Sequence, residues 1–211
     1  MEQAREKITR LHRQASSLPL LELGDVIELE GEACHLQDDD PLLNLKFGAL
    51  RLEDIAPIFN NQRPVIKWSQ LIGFDVFPGE GCSRSSFGLS TSRDEPMSWQ
   101  WYADCKTQYA CNPDYGGIKN FLKCHLSVVK ILACAQQLDI LSEAIDPSGF
   151  WENRDLEALV KHVTQENIFI AAIMGSLKDA IKPLGYSADA PILERADFEY
   201  LEAKSQDLHG P

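Results

Sequence analysis

The stretch that decides the fold is residues 99–141, WQWYADCKTQYACNPDYGGIKNFLKCHLSVVKILACAQQLDIL. It begins with an aromatic run and passes through a turn that ends in Gly116-Gly117. From residue 118 onward apolar side chains recur every three or four positions, which predicts a helix over residues 118–141. Four of the six cysteines and His125 lie in this stretch. We therefore expect a pocket of this protein to be centred on these residues.

The composition narrows the classes of partner. The chain has 211 residues, of which 44% are hydrophobic and 25% charged, so it has enough apolar residues for a core. Its formal net charge of −12 disfavours binding to nucleic acid or to an anionic membrane, because such binding depends on Lys and Arg. No apolar run approaches the roughly 18 residues that a membrane span requires, and the N-terminus lacks the apolar core of a secretory signal. We therefore expect a cytoplasmic protein whose six cysteines are reduced thiols.

The hydrophobic pattern predicts both helices and strands. Apolar residues at helical spacing predict three helices, at residues 2–16, 118–141 and 155–182. Apolar or alternating runs predict three strands, at residues 26–29, 42–52 and 71–77. The serine-rich segment 82–98 has little regular pattern, which is typical of a functional or mobile loop.

These elements predict an α+β fold. We expect a small mixed or antiparallel sheet with a C-terminal pair of long helices packed on it. The chain is expected to form a single domain over residues 1–211. Its parts would be an N-terminal helix, a strand- and loop-rich part, a helical core and an acidic tail, at residues 1–17, 20–98, 99–185 and 186–211.

Polar residues on the inward faces of the two long helices are candidate catalytic residues. On a helical wheel that advances ~100° per residue, Cys124 and His125 flank the apolar centre of the first long helix. Asn167 interrupts the apolar stripe of the second. If Cys105 approached His125, the set of Cys105, His125 and Asn167 would offer a thiol, a base and an orienting amide, as in cysteine hydrolases. The alternative is a structural histidine, because buried polar groups are nearly always paired and no hydrolase signature surrounds the cysteines.

The cysteines also suggest a metal site. Cys105, Cys111 and either Cys124 or His125 would supply soft ligands. The first two are separated by five residues, a looser spacing than structural zinc sites usually have. The alternative is that these cysteines are small buried thiols of the core. The three aspartates of residues 38–40 lack the glycine and terminal glutamate of a calcium loop, so a solvated loop is the simpler interpretation.

Aromatic residues and glycines near the turn suggest a ligand site. Trp99 and Trp101 would share a face of an extended strand and, with Tyr109, would wall a pocket for a flat or sugar-like ligand. Gly116 and Gly117 precede a helix, where backbone amides can face an anion. No phosphate-loop motif is present, and a turn with positive φ explains the glycines without a ligand. Aromatic side chains mostly fill cores, so packing is the alternative for the tryptophans.

Several segments resemble a group of uncharacterised bacterial proteins. The resembling segments are Phe87-Gly88-Leu89, CKTQYA at residues 105–110, Gly116-Gly117, NFLKCHL at residues 120–126 and FWENRD at residues 150–155. The resemblance as a whole covers roughly residues 70–180 and not the N-terminal third. The resemblance carries no established activity and therefore no site residues. It implies a bacterial, cytosolic source.

Two main functional classes follow. The first is a binding or interaction module, expected to self-associate through the helix at residues 155–182, which is apolar on more faces than one partner would cover. The second is a small-molecule enzyme, hydrolase-like, with a pocket formed by Cys105 and His125. A metal-binding protein that uses Cys105, Cys111 and His125 is a further alternative. We prefer the interaction module because, for every candidate catalytic set, a structural role explains the same residues better than a catalytic role does. The sequence identifies no cofactor and predicts neither a nucleic-acid nor a membrane partner, while a small-molecule ligand is compatible with it.

Overall fold

The computed structural model describes two compact units, which we call the sheet unit and the helical unit. The described residues are 1–34, 42, 46, 68–93 and 95–208, with side chains up to residue 205. The sheet unit consists of Met1–Gly79, Ser83–Lys106 and His125–Glu143, and the helical unit of Glu80–Cys82, Thr107–Cys124 and Ala144–Pro211. The single-domain organisation stays a prediction.

The sheet unit contains an antiparallel sheet of five described strands. They are β1 (Glu22–Leu23), β2 (Ile27–Glu30), β3 (Trp68–Phe77), β4 (Ser85–Ser92) and β5 (Gln100–Ala103). Strand β3 pairs with β1, β2 and β4, and β4 pairs in turn with β5. The strands predicted at residues 26–29 and 71–77 are confirmed.

The N-terminal helix α1 (Glu2–Ala15) packs on β3 and β4. Its buried residues are Ala4, Ile8, Leu11 and Ala15, which form one face at helical spacing. Each fully buried isoleucine or leucine side chain contributes about 1.5–3 kcal/mol, so this face holds the helix in place. The ring of His12 adds an edge contact to Phe74 of β3, with ring centroids 5.1 Å apart. This helix is therefore confirmed, with nearly the predicted bounds.

The serine-rich segment is a strand and not the predicted loop. Its residues 85–92 form β4, which lies between β3 and β5 and is buried along almost all of its length. Its hydroxyls find polar neighbours in the adjacent strand: Ser86 donates to Asp75 at 2.6 Å, and Thr91 lies 2.7 Å from the hydroxyl of Ser69. Because these neighbours satisfy the side chains of Ser86 and Thr91, tertiary context overrides a composition that is poor in typical strand residues.

Two predictions concern residues that the structure mostly does not describe. The aspartate run at residues 38–40 lies outside the described residues, as does most of the strand predicted at residues 42–52. Within that strand Lys46 is described, and its backbone N–H donates to the carbonyl oxygen of Leu42 at 2.9 Å. This is a helical turn, so the strand prediction is wrong at that position.

The helical unit is built on long helices. The α-helices that lie in it wholly or in part are α2 (Gly117–Gln137), α3 (Phe150–Asn153), α4 (Leu156–Ile181) and α5 (Phe198–Leu208). Residues 117–124 of α2 belong to the helical unit and residues 125–137 to the sheet unit. Asp155 caps α4 by accepting hydrogen bonds from the backbone N–H groups of Glu157 and Ala158. The predicted pair of long helices is therefore confirmed, and the antiparallel sheet with C-terminal helices confirms the α+β class.

The residues predicted as an acidic tail contain helix α5. Phe198, Leu201 and Ser205 are buried at helical spacing, and α5 packs against α4. The helix was not predicted because the segment is acidic and only a few apolar residues mark the buried face of the helix.

Candidate functional site

A buried polar cluster joins three segments of the helical unit. Cys111 ends a short 3₁₀ helix, Gln108–Cys111, and its side chain is buried. Its thiol donates to the carbonyl oxygen of Gln108 at 2.8 Å and accepts from the side-chain amide of Asn167 at 3.1 Å. Arg195 Nη1 lies 3.4 Å from the same sulfur. The sulfur therefore accepts hydrogen bonds from one neutral and one cationic N–H group, and the thiol donates its own proton to a third partner.

Asn167 is the centre of this cluster. It lies on the buried face of α4, as predicted, and is 2% exposed. Its amide nitrogen donates to Cys111 and to the carbonyl oxygen of Val163, the latter at 2.6 Å. Its amide oxygen accepts from Arg195 Nη1 at 2.9 Å. Both amide protons and the oxygen are thus used within the helical unit.

Arg195 completes the cluster through a bidentate ion pair. Its Nε and Nη2 atoms each lie 2.8 Å from a carboxylate oxygen of Asp197. Burial lowers the pKa of the Arg195 guanidinium, but the bonds to Asp197 and Cys111 outweigh burial and raise this pKa above its ordinary value. The same hydrogen bonds hold the pKa of Asp197 below its ordinary value. A buried arginine with such a partner stays charged.

The cluster is chemically satisfied, and this favours a structural role. N–H donors around a sulfur stabilise a thiolate, but here the thiol proton is also accepted by a carbonyl oxygen. Every polar group of the Asn167 side chain has a partner, and Cys111 is only 6% exposed. We interpret the cluster as the polar tie that fixes the 3₁₀ helix, α4 and the Arg195 segment in one arrangement.

The predicted set of Cys105, His125 and Asn167 is divided between the two units. Cys105 and His125 belong to the sheet unit and Asn167 to the helical unit. The thiol of Cys105 lies 3.9 Å from the carbonyl oxygen of Ser83, and the side chain of His125 is half-buried on α2. The amide oxygen of Asn167, which would have to accept the imidazole N–H to orient the ring, already accepts a hydrogen bond from Arg195 Nη1. Roles for Cys105 and His125 in a hydrolase-like pocket stay predictions.

The alternative metal site at Cys105, Cys111 and His125 stays a prediction. Among the residues that the structure describes, no group of three or more His, Cys, Asp or Glu side chains is arranged to hold a metal ion. Cys105 and His125 lie in the sheet unit and Cys111 in the helical unit, where its sulfur takes part in the polar cluster.

The sheet unit contains an open cleft beside the predicted aromatic residues. Its volume is about 610 Å³, and its lining residues are Trp99, Gln100, Trp101, Asp139, Ile140, Leu141, Ser142 and Glu143. Both tryptophans are half-buried, whereas Asp139 and Glu143 are exposed. The structure thus brings Trp99 and Trp101 to one cleft, with carboxylates among the residues that line it.

The other residues of the predicted ligand site lie in the helical unit. Tyr109 is half-buried in the 3₁₀ helix that precedes the turn. Gly116 and Gly117 have φ values of 101° and 62°, which residues with a side chain rarely adopt. The turn therefore requires these glycines for its backbone conformation, as the structural interpretation predicts.

An apolar stripe marks the solvent face of α4. Phe169, Ile173 and Leu177 are 61%, 49% and 44% exposed. They recur every four residues, so they lie on one side of the helix. The face that packs against α5 carries buried residues such as Ala171 and Gly175 instead. We call Phe169, Ile173 and Leu177 the α4 stripe.

Comparison with protein-family models, curated proteins and solved structures found no match. No described helix combines the length and the apolar character needed to cross a membrane.

Sequence reasoning missed Arg195 and Asp197. Both lie in the segment interpreted as an acidic tail. The available signal was one arginine beside the apolar pair Ile192-Leu193, followed by Phe198. Such a pattern indicates a packed segment in which a charged side chain needs a partner.

Proposed function

We propose that this protein is an interaction module that self-associates through the α4 stripe. The observation that carries the proposal is the exposure of three large apolar side chains, Phe169, Ile173 and Leu177, at a spacing of four residues on one helix. Scattered exposed apolar residues are normal, but a contiguous set on one face is typical of an interaction site.

The residues beside the stripe favour a second copy of the chain as the partner. Ala172, Ser176 and Ala180 lie three residues after the three large ones, so a row of small side chains runs beside the row of large ones. Two copies related by a two-fold axis would place the large row of each helix against the small row of the other. The stripe is in this sense complementary to itself.

The size of the stripe indicates a reversible dimer. Its three residues span about 12 Å of helix, at about 1.5 Å per residue. A contact limited to this stripe buries less area than the roughly 1,200–2,000 Å² of a stable protein–protein interface. The helical unit exposes further large apolar side chains as well, namely Leu184, Tyr186 and Tyr200. We therefore expect assembly that depends on protein concentration.

Sedimentation velocity across a wide concentration range tests the proposal. The wild-type protein is expected to form dimers as the concentration rises, and Ile173→Glu is expected to remain monomeric because a carboxylate in the stripe would be desolvated. Ile145→Glu is the matched control, since Ile145 is 89% exposed and lies outside α4. A wild-type protein that stays monomeric, or an Ile173→Glu protein that dimerises equally well, would contradict the proposal.

The cleft of the sheet unit supports a second candidate function, the binding of a small molecule. Trp99 and Trp101 offer aromatic faces, which suit a flat or sugar-like ligand. The carboxylates of Asp139 and Glu143 add a preference for a cationic group, which both carboxylates and aromatic faces attract.

Ligand binding can be tested by titration of sugars and aromatic amines with tryptophan fluorescence as the readout. The expected result is saturable binding that Trp101→Ala abolishes. Trp151→Ala is the control, because Trp151 is also half-buried but lies in the helical unit. If the two variants bind a compound equally well, the cleft is not its site.

A further inference from the structure

A short segment of the helical unit is held tightly against its neighbours. Asn120 of α2 donates one amide proton to the carbonyl oxygen of Glu80 at 3.0 Å and the other to that of Ala110 at 3.1 Å. Gly81 has a φ of 79°, and a Cβ atom built there would lie 2.5 Å from the carbonyl oxygen of Tyr109. Only glycine allows the backbone of residue 81 to come this close to the backbone of Tyr109. Residues 80–82 are therefore held in one well-defined position.

This arrangement brings two cysteines together. Cys124 lies one turn after Asn120 on α2, and its thiol is 3.7 Å from the amide oxygen of Asn120. Cys82 follows directly after Gly81. Its thiol is in hydrogen-bond contact with that of Cys124. The two residues are 42 positions apart in sequence, and neither is part of a disulfide in this structure.

The two thiols differ in access and in acidity. Cys124 is buried, whereas Cys82 is half-buried. The hydrogen bond from Cys82 lowers the pKa of the Cys124 thiol, burial opposes this, and the charge of Lys123 lowers the pKa further. The resulting pKa of the Cys124 thiol lies below the ordinary pKa of a cysteine thiol. A thiol of this kind is a better nucleophile toward an adjacent disulfide than an ordinary buried cysteine.

We propose that Cys82 and Cys124 are a redox-active pair that closes to an intramolecular disulfide on reaction with a low-molecular-weight disulfide. In the first step the thiolate of Cys82, the more accessible residue, attacks one sulfur of the small disulfide. A Cys82 mixed disulfide forms and one small thiolate leaves. In the second step the Cys124 thiolate attacks the Cys82 sulfur and expels the other small thiolate.

The overall reaction is balanced. The two cysteines lose two protons and two electrons in total, and one small disulfide is reduced to two small thiols. The two thiols are already in hydrogen-bond contact, and closure brings their Sγ atoms to a bond of about 2.05 Å. The reverse reaction with excess small thiol restores both cysteines, so the pair is reversible.

The test uses the full-length native protein and oxidised glutathione as the probe. After incubation, acid quenching and alkylation, peptide mapping by mass spectrometry is expected to identify one cross-linked species, with Cys82 joined to Cys124. The number of titratable thiols is expected to fall from the six of the sequence to four, and excess reduced glutathione is expected to restore six.

Variants separate the two steps. Cys124→Ser is expected to stop at the first step and to retain glutathione on Cys82. Cys134→Ser is the matched control, since Cys134 is half-buried like Cys82 and is expected to leave the cross-link unchanged. The peptide map of the wild-type protein tests the proposal even if a variant does not fold. A wild-type protein that gives no Cys82–Cys124 cross-link, or that gives it only in denaturant, would overturn the proposal.

Discussion

Two serines on one face of β4 allow a sharp test of how the polar interior of the sheet unit is stabilised. Ser86 and Ser90 are both 1% exposed, and their positions differ by four, so they face the same side of the strand. The Ser86 hydroxyl donates to Asp75 at 2.6 Å. The Ser90 hydroxyl has no hydrogen-bond partner among the described residues. The same substitution, serine to alanine, is therefore expected to have opposite effects at the two positions.

The expected magnitudes follow from these contacts. Ser86→Ala removes a hydrogen bond to a carboxylate, which lowers the free energy of unfolding by about 2 kcal/mol. Ser90→Ala removes a hydroxyl that was desolvated without compensation, which raises the free energy of unfolding by about 1 kcal/mol. Both variants delete a single oxygen atom from a buried site, so differences in cavity size and strand propensity largely cancel.

Urea unfolding monitored by tryptophan fluorescence and by circular dichroism measures both variants. The slopes should match that of the wild type, so that the midpoints report stability alone. Coincident transitions by the two probes justify the two-state treatment. If both variants lose stability, or if Ser90→Ala is the more damaging, the role assigned to these hydrogen bonds is refuted.

Three further substitutions test the helical unit. Asp197→Asn is expected to cost about 2 kcal/mol at neutral pH by leaving Arg195 buried without its partner. Because the pKa of Asp197 is lowered in the folded state, this difference from wild type should be present above the unfolded pKa of about 3.9 and vanish as the pH falls through the folded pKa, measured by urea unfolding across pH. Gly81→Ala is expected to cost at least about 2 kcal/mol in the same assay, because a positive φ and a backbone oxygen both oppose the added Cβ. Gly175→Ala should instead leave the melting temperature unchanged or raise it, since only the flexible end of Glu202 must move and alanine gains about 1 kcal/mol of helix propensity.

Strong periodicity made parts of the fold predictable. Helix α1 and helix α4 carry apolar residues at regular helical spacing, and Asp155 gave a recognisable start signal for α4. Strand β4 was missed because five of its eight residues are serine or threonine, and two of them, Ser86 and Thr91, pair with side chains that are distant in sequence. Local pattern does not reveal such partners.

Local sequence pattern also failed to reveal the partners of the candidate site residues. The inward position of Asn167 followed from its place in an apolar stripe, and the structure confirms it. Its partners did not follow, because Cys111 lies 56 positions away and Arg195 lies 28 positions away. The closeness of Cys82 to Cys124 was equally invisible, since it depends on a glycine turn and on the two bonds of Asn120.

The shortness of β5 has a consequence for the behaviour of the protein at high concentration. This strand ends the described strand order on one side and contains only four residues. Exposed strand edges can template fibrils, but steric zippers form from segments of roughly six or seven residues. An incoming chain would find too few backbone groups on this edge to nucleate cross-β growth. We therefore expect any fibrils of this protein to arise from unfolded chains and not from the β5 edge of its native sheet.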